Sequence, residues 1–450
     1  MNNNNIDTII SIATPMGTGA MSIIRCSGKK VLKIIDIFFN KKMSPRHAYY
    51  LNFKNNEKVI DDVIAIYYAS PQSFTGEDML EVMCHGGPVM YQLIINEILK
   101  VKGCRLAKAG EYSERAFLNN KMSILQAESI CALINAKTEE AAIAARESLS
   151  GKISQDIVKI DDVILKARIQ VEALLDFSEE DIETEGLKSI EVHLNSCKKE
   201  ILYIANKLEK NRLLFEASKV AVVGKPNTGK SSLINYFAEE DVSIVNIEAG
   251  TTRDVISKMI NFNGIPITVF DTAGIRETDD LIEKEGKEKA FKQAIAANLV
   301  LYLYDVKAGV DNEDATILKN LKTTNANIMV VANKIDLIDK TKLDVVKADN
   351  PEILFVSIKQ GLNMDLLKFE IIENLEKYTQ NSSPGVYKLE NARYLKKAYE
   401  IINKINLNLG ELEIVAEDLK KAQENISKVL DNGNDERVLS GIFSNFCIGK

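Results

Sequence analysis

No stretch of this 450-residue sequence approaches the roughly 18 consecutive apolar residues that a membrane-spanning helix requires, so no spanning segment is expected. The opening MNNNNIDTII lacks the basic n-region and long apolar h-region of a secretory signal, and lacks the Arg-rich pattern of an organellar presequence. A cytoplasmic location is the expectation. Cysteine is sparse: Cys26, Cys84, Cys104, Cys131, Cys197 and Cys447 form no CxxC pair, which argues against a zinc site and against a disulfide framework. Histidine is scarcer still, with only His47, His85 and His193, so any metal should be held by oxygen. Basic excess is also missing. A net charge of -7 argues against broad electrostatic binding of nucleic acid, and an RNA partner would have to be gripped locally.

What is present is enough apolar material for real cores: 46% of residues are hydrophobic and 27% charged, and the length predicts two or three domains. From Ile6 to Lys121, short apolar runs such as DTIISIA, AMSIIRCSG and DVIAIYYAS alternate with Gly and Pro turns, which predicts an α+β domain. From Met122 to Glu216 the spacing becomes helical, with Ile160, Val163, Ile164, Ala167, Val171, Leu174 and Leu175 on one stripe. Helical spacing returns near the end. Leu395, Ala398, Ile402 and Ile405 form one stripe, and Leu412, Val415, Leu419, Ala422, Ile426 and Val429 another. Between these blocks, the runs KVAVVG, ITVFDTAG, LVLYLYDV, NIMVVANKID and ILFVSI alternate with helix-length segments, the pattern of a parallel sheet with crossover helices. The economical arrangement inserts that α/β domain, residues 217–378, into a discontinuous all-α domain made of 122–216 and 379–450, after an α+β domain at 1–121. Three independent domains in a row is the other arrangement compatible with the pattern.

Chemistry concentrates in the inserted segment. Apolar Val220 to Val223 runs into Gly224-Lys225-Pro226-Asn227-Thr228-Gly229-Lys230-Ser231 and then helical SLINYFAE, the P-loop pattern in its strand-loop-helix setting. There Lys230 would reach the β and γ oxygens and Ser231 would hold Mg²⁺. In Val269-Phe270-Asp271-Thr272-Ala273-Gly274, Asp271 can bind Mg²⁺ through water and Gly274 can donate its N–H to the γ-phosphate. Asn333-Lys334-Ile335-Asp336 ends another apolar strand, and its Asp can accept both the N1–H and the 2-amino hydrogens of guanine. Adenine offers neither donor, so GTP is expected rather than ATP. Ser357-Ile358-Lys359 reads as a loop behind the base, and Ala249-Gly250-Thr251-Thr252-Arg253-Asp254 as the switch whose Thr completes the Mg²⁺ shell. After DTAG, Ile275 stands where Ras-type GTPases carry the Gln that orients water. Glu283, Arg276 or a second cation are the candidate replacements.

Taken together, these motifs resemble the MnmE (TrmE) family of tRNA-modification GTPases. The resemblance rests on ATPMGTGAMSIIRCSG, SFTGEDMLEVMCHGGP, GEYSERAFLNNK, GKPNTGKSSLIN, AGTTRD and the terminal Cys447-Ile448-Gly449-Lys450. It implies nucleotide contacts at Asn227, Thr228, Gly229, Lys230, Ser231, Asn246, Thr251, Thr252, Asp271, Gly274, Asn333, Lys334, Asp336, Ser357 and Lys359. It implies Mg²⁺ at Ser231 and Thr252, K⁺ at Asn227, Asn246, Glu248 and Thr251, and catalytic roles for Glu283, Arg276 and Cys447. It further implies a homodimer through the N-terminal domain, and a 5-formyl- or methylene-tetrahydrofolate at Arg25, Glu81, Lys121 and Lys450. The family pairs with an FAD-dependent, NADH-using partner, in what would be a heterotetramer, to place a carboxymethylaminomethyl or aminomethyl group on carbon 5 of a tRNA wobble uridine. Asn246 departs from the family's usual Thr. For His85 the residues alone favour a structural role, and Cys447 reads equally as a reactive thiol or an idle tail residue. The competing class is a ribosome-assembly GTPase of Era or Der type, which would carry a basic RNA-binding domain or a second G domain.

Overall fold

The computed structural model describes residues 7–55, 58–176, 180–215, 217–240, 257–271, 297–322, 327–381, 387–407, 411–431, 443, 446 and 449. The chain forms two compact units, one of Met1–Cys131, Glu147–Ile204 and Arg393–Lys450, the other of Ala132–Arg146 and Ala205–Ala392.

The first unit begins with strands β1 (Thr8–Ile12) and β2 (Met21–Ser27), helix α1 (Val31–Phe39), and strands β3 (Ala48–Asn55), β4 (Lys58–Tyr68) and β5 (Met79–His85). Helix α2 (Pro88–Leu99), strand β6 (Cys104–Leu106) and helix α3 (Glu111–Leu118) follow. The six strands make one sheet in the order β3-β4-β5-β2-β1-β6, antiparallel throughout except for the β1–β6 pair. Strand alternation splits the residues cleanly. Ile24, Cys26, Leu80, Val82 and Cys84 turn toward Val31, Ile34 and Phe38 of α1 and Tyr91, Ile94 and Ile98 of α2, forming the core. Their neighbours Arg25 and Glu81 therefore lie on the other face, directly opposite each other in register.

A buried ion network ties down the edge of this sheet. Arg115, almost wholly buried, pairs with Asp7, Glu77 and Glu111, and Arg105 pairs with Asp7 and Glu111. Removing the buried Arg115 from this network costs about 3–5 kcal/mol, because the buried Glu111 loses a partner and Glu77 loses its own. The segment GEYSERAFLNNK thus owes part of its character to structure: its Glu111 and Arg115 build this lock, and its Tyr112 fills the gap between Ile9 and Met79.

Helices α4 (Ile124–Asn135), α5 (Glu139–Leu149), α6 (Lys152–Asp176) and α7 (Glu180–Phe215) come next. After the second unit come α12 (Tyr387–Lys404) and α13 (Leu412–Asp431). Within the first unit α6 packs along α13, and Arg168 donates a 3.1 Å hydrogen bond to Gln423. Ile160, Ile164, Ala167, Val171 and Leu174 are buried on one side, and Val415, Leu419, Ala422, Ile426 and Val429 on the other. Val163 and Leu175 fall off the expected stripe, Val163 half-buried and Leu175 exposed, because a 3.6-residue period carries them round to its margins.

The second unit holds β7 (Ser218–Val223), α8 (Lys230–Glu240), β8 (Ser257–Phe262), β9 (Ile265–Asp271) and β10 (Leu299–Asp305). It continues with α9 (Asn312–Lys322), β11 (Asn327–Asn333), α10 (Lys340–Asp349), β12 (Leu354–Phe355) and α11 (Met364–Asn381). Its sheet runs β12-β11-β10-β7-β9-β8 and is parallel except for the β8–β9 hairpin. Both faces are covered, which is why the strands read as unbroken apolar runs. Val220, Val222, Leu301 and Val331 meet α8 and α11 on one face, while Ala221, Val300, Tyr302 and Ala332 meet Leu321 of α9 on the other. The run ILFVSI yields a strand of only two residues, since Ser357 leaves the ladder to bridge Leu362 across a tight loop. No helix among the described residues is long and apolar enough to cross a membrane.

Candidate functional site

Parallel pairing brings the C-terminal ends of β7, β10 and β11 to one edge of the second unit's sheet, the side where open α/β folds bind ligands. The loop after β7 curls on itself there. Lys230 Nζ donates to the carbonyls of Gly224 (2.7 Å) and Lys225 (2.6 Å), Thr228 Oγ1 donates to Lys225 O (2.9 Å), and Asn227 adopts a left-handed backbone with φ 62°. Helix α8 starts at Lys230, so its first turn and positive dipole end lie at the loop, a cradle suited to phosphate. Ser231, exposed at the start of that helix, offers a hydroxyl oxygen, the donor type Mg²⁺ takes.

Asn333 welds this loop to the next two. Its Nδ2 donates to Thr228 O at 2.8 Å, and its Oδ1 accepts from Ile358 N at 3.2 Å. The approach is so close that a Cβ on Gly229, which has φ +104°, would lie 2.4 Å from Asn333 Nδ2; only glycine fits. Lys334, in a left-handed conformation, reaches Asp305 at 2.8 Å. Burial pushes the Asp305 carboxyl up, but the Lys334 ammonium and the N–H groups of Lys307 and Ala308 outweigh it and hold Asp305 below the usual carboxylate range. Asp336 is half-buried, and its Oδ1 accepts from Ser357 Oγ at 2.5 Å, which fixes the carboxylate that guanine's two donors would meet. Lys359 is exposed beside that loop.

The acids Asp305, Asp311 and Asp314 beside this loop are not among the residues the motifs single out. Asp305 ends β10 in register with Asn333, and an acid closing an apolar strand was the available signal. Lys225 pairs with Asp311 and Asp314 at the start of α9, while Asp314 also accepts from Tyr302. The hydrogen bond from Lys225, helped by backbone N–H groups of α9, brings Asp311 down to about 2. Asn246, Glu248, Thr251, Thr252, Gly274, Ile275, Arg276, Glu283, Cys447 and Lys450 lie outside the described residues, as does the side chain of Asp271, whose backbone ends β9.

On the first unit's sheet, Arg25 forks onto Glu81 Oε1 through Nε (3.0 Å) and Nη2 (2.7 Å). Tyr68 donates to the other Glu81 oxygen at 3.2 Å. The guanidinium lies 5.6 Å from the Phe74 ring centre and 5.7 Å from that of Tyr112, and Arg25 Nη1 donates to Gly449 O at 3.3 Å. Lys121 is exposed with its methylenes against Gly76, and among the described residues no hydrogen bond or ion pair joins it to the Arg25–Glu81 pair. The aromatic walls were missed as site residues although both stand inside the family-like segments. His85 is exposed, with its Nδ1 held 2.6 Å from the buried Asp61.

Residues 8–121 match the family described as GTP-binding protein TrmE N-terminus, and residues 124–447 match the MnmE helical domain. The tRNA modification GTPase MnmE of Francisella philomiragia is 37% identical, covering 99% of both chains. That of Francisella tularensis subsp. holarctica is 38% identical over the same shares. A solved structure of Aquifex aeolicus Era is 29% identical over 43% of this chain and 69% of its own, with a TM-score of 0.30. The likeness to MnmE runs through the N-terminal sheet and the helices as well as the P-loop segment, which decides against a ribosome-assembly GTPase. This chain belongs to the MnmE family of tRNA modification GTPases, GTP hydrolases that act in tRNA modification.

Proposed function

We propose that the chain couples potassium-assisted GTP hydrolysis to the addition of a carboxymethylaminomethyl or aminomethyl group at carbon 5 of the tRNA wobble uridine. A tetrahydrofolate supplies the one-carbon unit, and an FAD-carrying, NADH-using protein is the partner. The observation that carries the reading is the Arg25–Glu81 pair: a guanidinium and a carboxylate between two aromatic rings, with the carbonyl of Gly449 on the guanidinium. Such a set matches a ligand with a flat heterocycle and anionic carboxylates, as a folate has. The Gly449 carbonyl meets that site; Arg25, Glu81, Lys121 and Lys450 are the folate set, and Cys447 of the same CIGK tail is a catalytic residue.

In the nucleotide site, Lys230, Thr228 and Gly229 hold phosphates, and Ser231 with Thr252 holds Mg²⁺, the ion that neutralises charge developing on the phosphates. Asp271 and Gly274 sense the γ-phosphate, while Asn333, Lys334, Asp336, Ser357 and Lys359 hold guanine. Asn227, Asn246, Glu248 and Thr251 supply oxygens for K⁺, and Glu283 and Arg276 complete the hydrolytic machinery. The protein works as a cytoplasmic homodimer joined through residues 1–121, with the GTPase domain 217–378 inserted in sequence between the helical segments 122–216 and 379–450.

The test pairs two assays on the Arg25→Met variant. Calorimetric titration with 5-formyl-tetrahydrofolate should show lost binding, and mass spectrometry of tRNA from cells relying on the variant should show unmodified wobble uridine, with GTP turnover retained. Parent-level folate binding by the variant would sink the assignment.

A further inference from the structure

The β8–β9 hairpin joins the two segments expected to read the γ-phosphate. Strand β8 starts at Ser257, just after Asp254 of AGTTRD, and β9 ends at Asp271, the first residue of DTAG. The connection is a tight two-residue turn: Phe262 pairs with Ile265, and Asn263 (φ 50°) and Gly264 (φ 91°) supply the two positive φ angles of a type I′ hairpin. Asn261 Oδ1 accepts from Gly264 N at 2.7 Å, stiffening the turn.

That tip is held by residues more than a hundred positions earlier in the chain. Thr138 Oγ1 donates to Gly264 O at 2.7 Å in a buried contact, and the same oxygen accepts from Ala141 N at 3.1 Å as the cap of α5. The side chain of Glu140 covers the glycine, so a Cβ at Gly264 would lie 2.7 Å from Glu140 Cγ. From the tip, β9 runs alongside β7 with Val222 opposite Asp271, one residue before the end of the strand that feeds the P-loop. A seven-residue strand spans about 23 Å and does not stretch, so a fixed tip sets the position of Asp271 along β7.

We propose that Thr138 is a positioning residue for GTP hydrolysis, acting through the β8–β9 hairpin on the segments at its two open ends. Thr138 belongs to none of the motifs of the P-loop segment.

The test uses the full-length chain and measures kcat for GTP, affinity for a fluorescent GDP analogue and the thermal midpoint of four proteins. Thr138→Val removes the donor, Thr138→Ser keeps it, and Gly264→Ala disturbs the same contact from the hairpin side. Thr138→Val should lower kcat about fivefold, the factor one buried hydrogen bond is worth, with GDP affinity within about twofold of the parent. Thr138→Ser should restore kcat, and Gly264→Ala should lower it. An unchanged kcat in Thr138→Val, whatever its thermal midpoint, would overturn the proposal. So would a fall in kcat matched by an equal fall in GDP affinity, which would mean that the whole nucleotide domain is disturbed.

Discussion

Replacing Asn333 tests whether the P-loop is held in place from the base side. The Nδ2 of Asn333 is the donor to Thr228 O at 2.8 Å, its Oδ1 is the acceptor for Ile358 N at 3.2 Å, and the residue is buried. In Asn333→Ala both groups lose their partner, at about 1–3 kcal/mol for buried polar groups left unsatisfied. The free loop can relax, but the nucleotide-bound loop cannot, so most of that cost appears in affinity: GDP binding should weaken roughly 5- to 150-fold. Asn333→Asp keeps the acceptor for Ile358 but sets a carboxylate oxygen against the Thr228 carbonyl in a buried place, so it should fall at or beyond the upper end. The assay is titration of a fluorescent GDP analogue into full-length protein at fixed ionic strength, with the ligand-induced rise in thermal midpoint as a second readout. Affinities within twofold of the parent for both variants would refute the reasoning and make the contact incidental.

Other outcomes are expected from the same geometry. Lys230→Ala should abolish measurable nucleotide binding by calorimetry, since the ammonium that closes the loop on Gly224 and Lys225 is the one that would meet the phosphates. Arg115→Met should destabilise the first unit by about 3–5 kcal/mol in urea unfolding, leaving the buried Glu111 and the half-buried Glu77 and Asp7 without the charge they share. Burial pushes Glu111 up, yet Arg105, the Lys108 N–H and Arg115 hold it below the ordinary Glu value, near 4.3. Its contribution is therefore complete above that value and is lost as pH falls through the lower folded value; Glu111→Gln should flatten the stability-versus-pH curve below about pH 5. Lys225→Met should raise the titration of Asp311 from about 2 toward the ordinary Asp range, followed by the carbon NMR signal of its carboxyl.

Much of this architecture was legible because period and position agree. The five apolar runs of the P-loop segment are buried on both faces and became β7, β9, β10, β11 and β12 of one mainly parallel sheet. The stripes on α6 and α13 met each other as apolar faces must, with only Val163 and Leu175 at the margin. Arg25 and Glu81 came together because they stand at opposed positions of antiparallel strands, which a single strand's text cannot reveal. The same limit hid Asp305, the rings of Phe74 and Tyr112, and Thr138, whose partners lie far along the chain and depend on strand order. Glu111 and Arg115 stand in a segment that resembles the family, yet their surroundings are a buried ion lock on the sheet. Residue type alone does not separate a charge kept for packing from one kept for a ligand.

The most direct test of the account is the initial rate of GTP hydrolysis by the full-length protein in KCl and in NaCl at equal ionic strength. Ile275 stands where Ras-type enzymes have their water-orienting Gln, and in the proposed function K⁺ at Asn227 and the loop from Asn246 to Thr251 does the charge-stabilising work. The rate should therefore rise more than about tenfold in KCl, because the arginine finger that the ion replaces is worth about 10³ to 10⁵ in rate. Equal rates in the two salts would contradict it and leave the chain as a GTPase that needs another protein to supply the missing charge.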